Sequence, residues 1–331
     1  MPPDSEPPDS ARARIVPATT PAASAPAAPR PPTAARALAA SSATESPASI
    51  VTESPRALAR AATQIENRTP EARALLKELF PRTGRALVVG LTGPPGAGKS
   101  TIAGALIAEW RTRGKRVAVL AVDPTSPFTG GAILGDRIRM MQHHADPGVF
   151  IRSMATRGRL GGIAAATSDL ALLCDAAGFD IVLIETVGVG QDEIDIARLA
   201  GVTVVVLVPG MGDSIQAIKA GILEVADIYA INKSDRDGAA QLAQELHAEA
   251  PAIPIVQTVA HQSRGVPELA QAIEAHQPTE SRQIALWRHR LRELLLEHLA
   301  SRITEEQLQS AAESVALHHA DPYAIVDAWA G

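Results

Sequence analysis

Short apolar runs recur along the middle of the chain and alternate with stretches at helical spacing. These runs are rich in Val, Ile and Leu, which is typical of strands buried on both faces of a sheet. The predicted strands are residues 86–91, 117–122, 181–184, 202–208, 228–231 and 253–256. Helical stretches are predicted between most of them, near 100–113, 161–176, 213–223, 238–249 and 266–276. The alternation predicts an α/β fold with a mostly parallel sheet flanked by helices.

The first 55 residues follow a different pattern. They contain 12 of the 25 prolines, no glycine and no aromatic residue. Such a segment buries too little apolar surface to offset its chain entropy, so residues 1–55 are predicted to be a disordered tail rich in Pro and Ala. Its arginines among Ala and Ser also fit a transit peptide, but the early acids Asp4, Glu6 and Asp9 argue against that interpretation.

Helical patterns flank the α/β region on both sides. Residues 56–83 show the spacing of short amphipathic helices, with Thr69 and Pro70 as a cap and first-turn pair. Beyond Pro278, leucines at helical spacing predict a long amphipathic helix. The expected order is therefore an N-terminal helical segment, an α/β domain over residues 84–278, and a C-terminal helical region over residues 279–331.

Charge and cysteine content narrow the class of protein. Thirty-one Lys and Arg against 36 Asp and Glu leave a formal charge of −5, which argues against a general nucleic-acid binder. Cys174 is the single cysteine, which excludes an internal disulfide framework and fits a reducing cytosol. The longest strongly apolar run, 202–208, is far shorter than the roughly 20 residues that span a bilayer. We expect a cytoplasmic protein with no membrane or nucleic-acid partner.

The strongest local signal is a GxxxxGK[ST] motif between a predicted strand and a predicted helix. Glycine-rich backbone N–H groups at such a turn surround the β-phosphate of a nucleotide, the lysine neutralises the β- and γ-phosphates, and the next hydroxyl binds Mg²⁺. The alternative is an ordinary Gly-Pro turn. The predicted phosphate-binding residues are Gly93, Pro94, Pro95, Gly96, Ala97, Gly98, Lys99, Ser100 and Thr101.

A second motif, NKSD, directly follows the predicted strand 228–231. It consists of Asn232, Lys233, Ser234 and Asp235. A carboxylate at Asp235 can accept hydrogen bonds from both N1–H and the exocyclic amine of guanine, whereas adenine has no such donor pair on that edge. Alone the tetrapeptide is weak, since polar residues after a strand usually form a turn. In this order after a P-loop, it predicts GTP as the nucleotide.

Candidate Mg²⁺ and γ-phosphate residues lie between these two motifs. Glu185 follows the strand 181–184, where a carboxylate can hold Mg²⁺ directly or through water, and Gly188 can donate its N–H to the γ-phosphate. A loop held by that phosphate can relax on hydrolysis. In small GTPases a Gln directly follows this glycine; because Gln191 lies further along, we do not assign it as the water-positioning group.

Two further acids are candidates on position alone. Asp123 ends the predicted strand 117–122, and Asp136 lies on the segment that follows it. Either can serve as a Mg²⁺ ligand or water-orienting group. The equally weighted alternative is that both belong to a capped, Gly-rich loop, with Asp136 on a solvated helix start.

The adjacent histidine pairs at 143–144 and 318–319 lack a third ligand at useful spacing, so they are interpreted as surface residues. Cys174 is interpreted as a small core residue.

With these segments in hand, the chain resembles the MeaB/ArgK family of P-loop GTPases from about residue 56 to the end. The similarity is carried by six segments: GPPGAGKST at 93–101, AVDPTSPFTGGAILGDRIRM at 121–140, IRSMATRGRLGG at 151–162, ETVGVGQ at 185–191, VPGMGDSIQAIKAGILEVAD at 208–227 and NKSD at 232–235. The resemblance implies a P-loop NTPase fold similar to signal-recognition-type NTPases, and a homodimer formed partly through the C-terminal helical arm.

The resemblance also implies roles for individual residues. Ser100, Asp123, Asp136 and Glu185 would surround Mg²⁺ and the γ-phosphate, and residues 212–219 would form an additional switch. The guanine-contacting Ser-Ala pair of the family falls at Val259 and Ala260, next to His261, so the serine is replaced. Ala260 is expected to offer its backbone N–H to guanine O6. Arg137, Arg139 and Arg157 are the arginine-finger candidates.

The function implied by the resemblance is a slow, partner-stimulated GTPase. It would bind an adenosylcobalamin-dependent acyl-CoA mutase of the methylmalonyl-CoA mutase type, gate cofactor loading and protect the mutase from inactivation. A metallochaperone GTPase is one alternative, but it would need a Cys or clustered-His metal site. A transport-linked ATPase or kinase, an older label of ArgK-like chains, is the other, and the NKSD motif disfavours it.

Overall fold

The computed structural model describes residues 15–16, 54–123, 143, 145–155, 162–186, 196–210, 223–276 and 278–330. The chain divides into two compact units, Met1–Pro278 and Thr279–Gly331. Within the described residues, the first unit contains the sheet and six α-helices, and the second contains helices alone.

The first unit is organised by a single sheet. Its strands are β1 (Ile15–Val16), β2 (Leu87–Thr92), β3 (Val117–Asp123), β4 (Val149–Ala155), β5 (Ile181–Thr186), β6 (Val202–Leu207), β7 (Ile228–Ile231) and β8 (Ile255–Gln257). They lie in the order β1-β8-β7-β6-β2-β5-β3-β4. All neighbours pair in parallel except β1, which runs antiparallel to β8. The predicted mostly parallel sheet is confirmed.

The helices of both units follow the predicted pattern closely. In the first unit they are α1 (Pro55–Glu66), α2 (Pro70–Leu79), α3 (Lys99–Thr112), α4 (Gly162–Ala176), α5 (Ala239–Glu249) and α6 (Val266–Ala275). The second unit contains α7 (Glu280–Ala300), α8 (Glu305–Ala316) and α9 (Pro322–Ala330). Most of the helix predicted near 213–223 lies outside the described residues.

Helices cover both faces of the sheet, which explains why its central strands are apolar throughout. One face packs on α3 and α6 around the fully buried Trp110. The opposite face packs on α1, α2 and α4 near β3 and β5, and on α5 near β7 and β8. Every residue of β5 and β6 is therefore buried, as expected for parallel strands enclosed by helices.

The short helix α2 begins as the sequence predicts. Pro70 is its first residue, and the side chain of Thr69 accepts a hydrogen bond from the Ala72 N–H at 3.3 Å. The proline needs no amide partner at that position, because the first amides of a helix have no carbonyl within the helix to bond. The predicted cap is confirmed.

Strand β4 is an edge strand that the apolar pattern did not predict. Its sequence, VFIRSMA, places Arg152 and Ser153 in the middle of the strand. The Arg152 guanidinium donates from Nε to Glu66 Oε1 of α1 at 2.8 Å and forms a second bond with the other oxygen of that carboxylate. This hydrogen bonding raises the pKa of Arg152. A distant acid therefore allows a charged residue within the strand, and no local pattern reveals that acid.

Cys174 lies in the core of the first unit, as predicted. It is fully buried in the cluster formed by α1, α2 and α4. Burial raises the pKa of its thiol to about 12, with a smaller contribution from the neighbouring Asp175 carboxylate. The thiol therefore stays protonated at neutral pH, and it acts as a small apolar residue.

A buried carboxylate fixes the start of the strand that leads to the P-loop. Asp175, in α4, accepts hydrogen bonds from the backbone N–H groups of Gly84, Arg85 and Ala86 at 2.5, 3.2 and 3.0 Å. These amides immediately precede β2. Because three amides share one carboxylate, its charge is compensated although the residue is only 7% exposed.

We expect Asp175→Asn to destabilise the protein by about 2 kcal/mol, because one oxygen of the side chain becomes an NH₂ group facing amide donors. Equilibrium urea unfolding followed by circular dichroism measures this loss. Glu78→Gln, which makes the same chemical change on the exposed surface of α2, is the matched control. Equal unfolding midpoints for the two variants would contradict an anchoring role for Asp175.

Among the described residues, no helix combines the length and apolar character needed to cross a bilayer.

Candidate functional site

The candidate site lies at the carboxyl edge of the sheet, where β2, β5 and β3 end beside one another. Glu185 of β5 pairs in register with Leu91 of β2 on one side and with Ala121 of β3 on the other. Val122 pairs with Thr186, so Asp123 ends β3 one position beyond. The parallel register thus places three of the sequence-predicted segments along one short stretch of edge, where ligands of α/β proteins bind.

The P-loop connects β2 to α3, and two of its glycines are required by crowding. At Gly93, whose φ is +133°, a Cβ would lie 2.2 Å from the backbone oxygen of Val206. At Gly98, whose φ is +91°, it would lie 2.4 Å from Asn232 Nδ2. Any side chain at either position would therefore push the loop away from β6 or from the NKSD segment.

Lys99 is the first residue of α3 and is buried within the P-loop. Its Nζ donates to the carbonyl oxygens of Gly93 at 2.6 Å and Pro94 at 3.1 Å. The ammonium is thus held inside the curve of the loop. The amides of the first helical turn also have no carbonyl partners within the helix. A cation and a helix N-terminus at one loop form an arrangement suited to the phosphates of a nucleotide.

Ser100 and Glu185 form a buried pair next to that lysine. The Ser100 hydroxyl donates to Glu185 Oε1 at 2.6 Å, and both side chains are buried. A hydroxyl and a carboxylate are hard oxygen donors of the kind that Mg²⁺ prefers, so these residues fit the ion that the fold implies. The side chain of Asp123 and all of Asp136 lie outside the described residues. Within the described ranges, His, Cys, Asp and Glu form no cluster of three that could hold a metal.

Asn232 joins the P-loop to the loop that follows β8. Its Nδ2 donates to the Ala97 carbonyl at 2.9 Å, and its Oδ1 accepts from the Ala260 N–H at 3.2 Å and from the Thr258 hydroxyl at 3.3 Å. All of these groups are buried. Because one amide satisfies three distant backbone and side-chain groups, the two loops are held at a fixed spacing.

Lys233 and Asp235 continue the NKSD segment toward solvent. Lys233 has a φ of +54° and donates from Nζ to the Gly96 carbonyl at 2.8 Å, so it covers the outer side of the P-loop. The Ser234 N–H donates to the Thr258 carbonyl at 3.1 Å, which fixes the turn. Asp235 is exposed. Its carboxylate is therefore accessible to a ligand bound at this edge.

The loop after β8 contains the residues that are expected to contact guanine. Val259 and Ala260 are buried and His261 is exposed, and Val259 bridges to Arg264 to close the loop. The Ala260 N–H, which is expected to contact guanine O6, donates to Asn232 Oδ1 in this structure. Any contact of this amide with guanine would have to share or replace that bond.

Thr258 is a site residue that the sequence analysis missed. It is fully buried directly after β8, and its hydroxyl helps to hold Asn232. A threonine at the end of an apolar strand is the only local signal, and it does not reveal a partner 26 positions earlier.

Several predicted residues lie outside the described residues: Gly188, Gln191, the switch segment 212–219 and the arginine-finger candidates.

Comparisons with known proteins agree with this geometry. The model of the family described as methylmalonyl Co-A mutase-associated GTPase MeaB matches residues 58–315. A Pyrococcus abyssi protein named as a GTPase is 52% identical over 234 residues, which span 67% of this chain and 72% of that protein. The methylmalonic aciduria type A homolog of Caenorhabditis elegans, a mitochondrial protein, is 42% identical over 204 residues, covering 57% of this chain and 51% of the relative.

A solved structure is similar as well. The crystal structure of an LAO/AO transport system kinase superposes with a TM-score of 0.56 and 26% identity, covering 86% of this chain and 95% of that one. Together with the loop and strand geometry, this similarity confirms a P-loop NTPase fold with a helical C-terminal part. Because the family match spans most of the chain, the protein belongs to the methylmalonyl Co-A mutase-associated GTPase MeaB family.

Proposed function

We propose that this GTPase binds an adenosylcobalamin-dependent acyl-CoA mutase of the methylmalonyl-CoA mutase type. GTP hydrolysis would gate loading of the cofactor and protect the mutase from inactivation. The family description and the name of the nematode relative support the choice of partner. The buried Ser100–Glu185 pair beside Lys99 carries the hydrolytic part of the proposal, because it places oxygen ligands next to a phosphate cradle.

The proposed roles of the individual residues follow from their positions at the carboxyl edge of the sheet. Residues 93–101 hold the phosphates, and Lys99 neutralises the charge on the β- and γ-phosphates. Ser100 and Glu185 would hold Mg²⁺, with Asp123 and Asp136 as further ligands. When bound, Mg²⁺ supplies positive charge against the phosphate oxygens. Phosphoryl transfer depends mostly on positioning and charge neutralisation, so these groups suffice for slow hydrolysis that a partner then accelerates.

Recognition of the base is assigned to the NKSD segment, which contacts the P-loop at Gly96 and Ala97. Asp235 would accept from N1–H and the amine of guanine, while Asn232 and Lys233 hold the loops around it. Adenine lacks this donor pair, so a site of this kind rejects ATP. The similarity to the transport system kinase structure is therefore weak support for a kinase that acts on ATP. Measuring ATP against GTP affinity distinguishes the two functions, and a preference for ATP would contradict the proposal.

The C-terminal unit is proposed to form a homodimer contact. Helix α7 exposes apolar side chains at helical spacing, namely Ile284, Trp287, Leu291 and Leu295. Residues at i, i+3, i+7 and i+11 lie along one side of a helix. Such a stripe is the usual seam between two helices, so a second copy of the chain is the expected partner.

A pull-down with candidate mutases tests the proposed function. We expect the full chain with a non-hydrolysable GTP analogue to retain a mutase of the methylmalonyl-, ethylmalonyl- or isobutyryl-CoA type, and GTP turnover to rise when that mutase is added. Lys99→Ala is the negative control. It should not bind the nucleotide, so it should lose the part of mutase binding that depends on the nucleotide. Failure of all three mutases to bind in any nucleotide state would contradict the proposal.

A further inference from the structure

Strand β8 is the last of the parallel strands on its side of the sheet, and both of its faces are covered. Ile255 belongs to the core cluster that contains Leu242 of α5. Val256 points to the other face and belongs to the cluster that contains Leu269 of α6. Both side chains are buried. The part of β8 that remains for another partner is its backbone edge, and such an edge is a template for an added strand.

The direction of the β8 hydrogen bonds shows which backbone groups face that edge. The Tyr229 N–H donates to the Pro254 carbonyl at 2.9 Å, and the Thr258 N–H donates to the Ile231 carbonyl at 2.8 Å, so positions 254 and 258 face β7. Backbone groups alternate sides along a strand. The N–H and carbonyl of Ile255, and those of Gln257, therefore face away from β7.

The accessible part of this edge is short. At Gly265 a Cβ would lie 2.0 Å from the Gln257 carbonyl oxygen, so the chain that returns after the 259–264 loop already covers the Gln257 end. The N–H and carbonyl of Ile255 are therefore the backbone groups of β8 that another strand can reach. Both groups gain hydrogen-bond partners when a strand is added there. An added strand of only a few residues is enough to provide them.

A segment of the N-terminal tail pairs with this part of β8. Ile15 and Val16 form β1, which pairs antiparallel with β8: Val16 lies opposite Ile255, and Ile15 lies opposite Val256. Both tail residues are β-branched, which favours an extended backbone. The family match begins at residue 58, far beyond this segment.

We propose that the edge of β8 is a strand-docking site whose occupant is Ile15–Val16 of the same chain, and that docking strengthens nucleotide binding. A short chain of hydrogen bonds links β8 to the P-loop. Strand β8 continues into Thr258 and Ala260, and both donate to Asn232 Oδ1. Asn232 in turn holds the P-loop through the Ala97 carbonyl. The effect on nucleotide rests on the GTP site, whereas the docking itself does not depend on it.

Amide hydrogen exchange of the full chain tests the docking. Val16→Pro removes the N–H that faces β8, and we expect it to speed exchange of the Ile255 amide by about three- to tenfold, the loss of one or two hydrogen bonds. Thr19→Pro makes the same change in the tail outside the strand and should leave the Ile255 amide protected. The Thr258 amide, bonded to β7, serves as an internal control. GDP release should be about two- to threefold faster in Val16→Pro alone.

Two outcomes would overturn the proposal. If the Ile255 amide exchanges equally in the wild-type chain and both variants, the tail does not dock on β8. If its protection increases with protein concentration, the tail of a second copy is the occupant. Neither measurement involves the mutase, so failure here and failure of the proposed chaperone function are distinguishable.

Discussion

Replacing Lys99 by alanine is expected to lower the affinity for GTP by at least about 100-fold. The Lys99 ammonium is buried in the P-loop, where it donates to the Gly93 and Pro94 carbonyls. A bound nucleotide would bring phosphate oxygens to the same loop, and hydrogen bonds to charged groups contribute about 1.5–3 kcal/mol each. Isothermal titration calorimetry with GTP and Mg²⁺ measures the loss. Unchanged affinity would refute the assignment of the phosphate site.

Two further variants separate loss of charge from collapse of the loop. Lys99→Gln keeps an N–H donor for the Gly93 carbonyl but removes the positive charge, so we expect weak binding with near wild-type thermal stability. Lys77→Ala removes a lysine from the exposed surface of α2 and should bind GTP normally. If Lys99→Gln bound GTP as tightly as the wild-type protein, Lys99 would stabilise the conformation of the P-loop without contributing to phosphate binding.

The central part of the fold could be predicted because its signals are local. Strands that are covered on both faces must be apolar throughout, so all six predicted runs match strands to within about two residues at each end. The phosphate loop and the NKSD turn are equally local, since each motif is a contiguous segment. Residue type and spacing contain the information in these cases.

Features that depend on contacts between distant segments could not be predicted. Strand β4 contains Arg152, and its charge is compensated by Glu66 from a helix 86 positions earlier. Thr258 and Ala260 are aligned with Asn232 only after β7 and β8 have paired. The hydrogen bond from the Ala260 amide to Asn232 Oδ1 is one of these contacts. Pairing of a two-residue strand in the tail is likewise invisible without β8.

Asp235→Asn is expected to exchange guanine for xanthine as the preferred base. The carboxylate can accept from both N1–H and the amine of guanine. An asparagine amide keeps one acceptor but turns a donor toward the guanine amine, so GTP affinity should fall by at least about 100-fold. Xanthine has a carbonyl where guanine has the amine. The asparagine NH₂ can donate to that carbonyl while its oxygen accepts from N1–H, so binding of xanthosine triphosphate should rise.

Competition between labelled GTP and unlabelled xanthosine triphosphate measures this exchange of base. Asp237→Asn is the matched control, because it makes the same change two positions away at another exposed site and should leave GTP preferred. The hydrogen bonds of Asn232 to Ala97 and Ala260 are independent of this carboxylate, so the loops should stay in place and the variant should remain folded. Equal loss of both nucleotides in Asp235→Asn would indicate a damaged loop, and unchanged GTP preference would place the base away from Asp235.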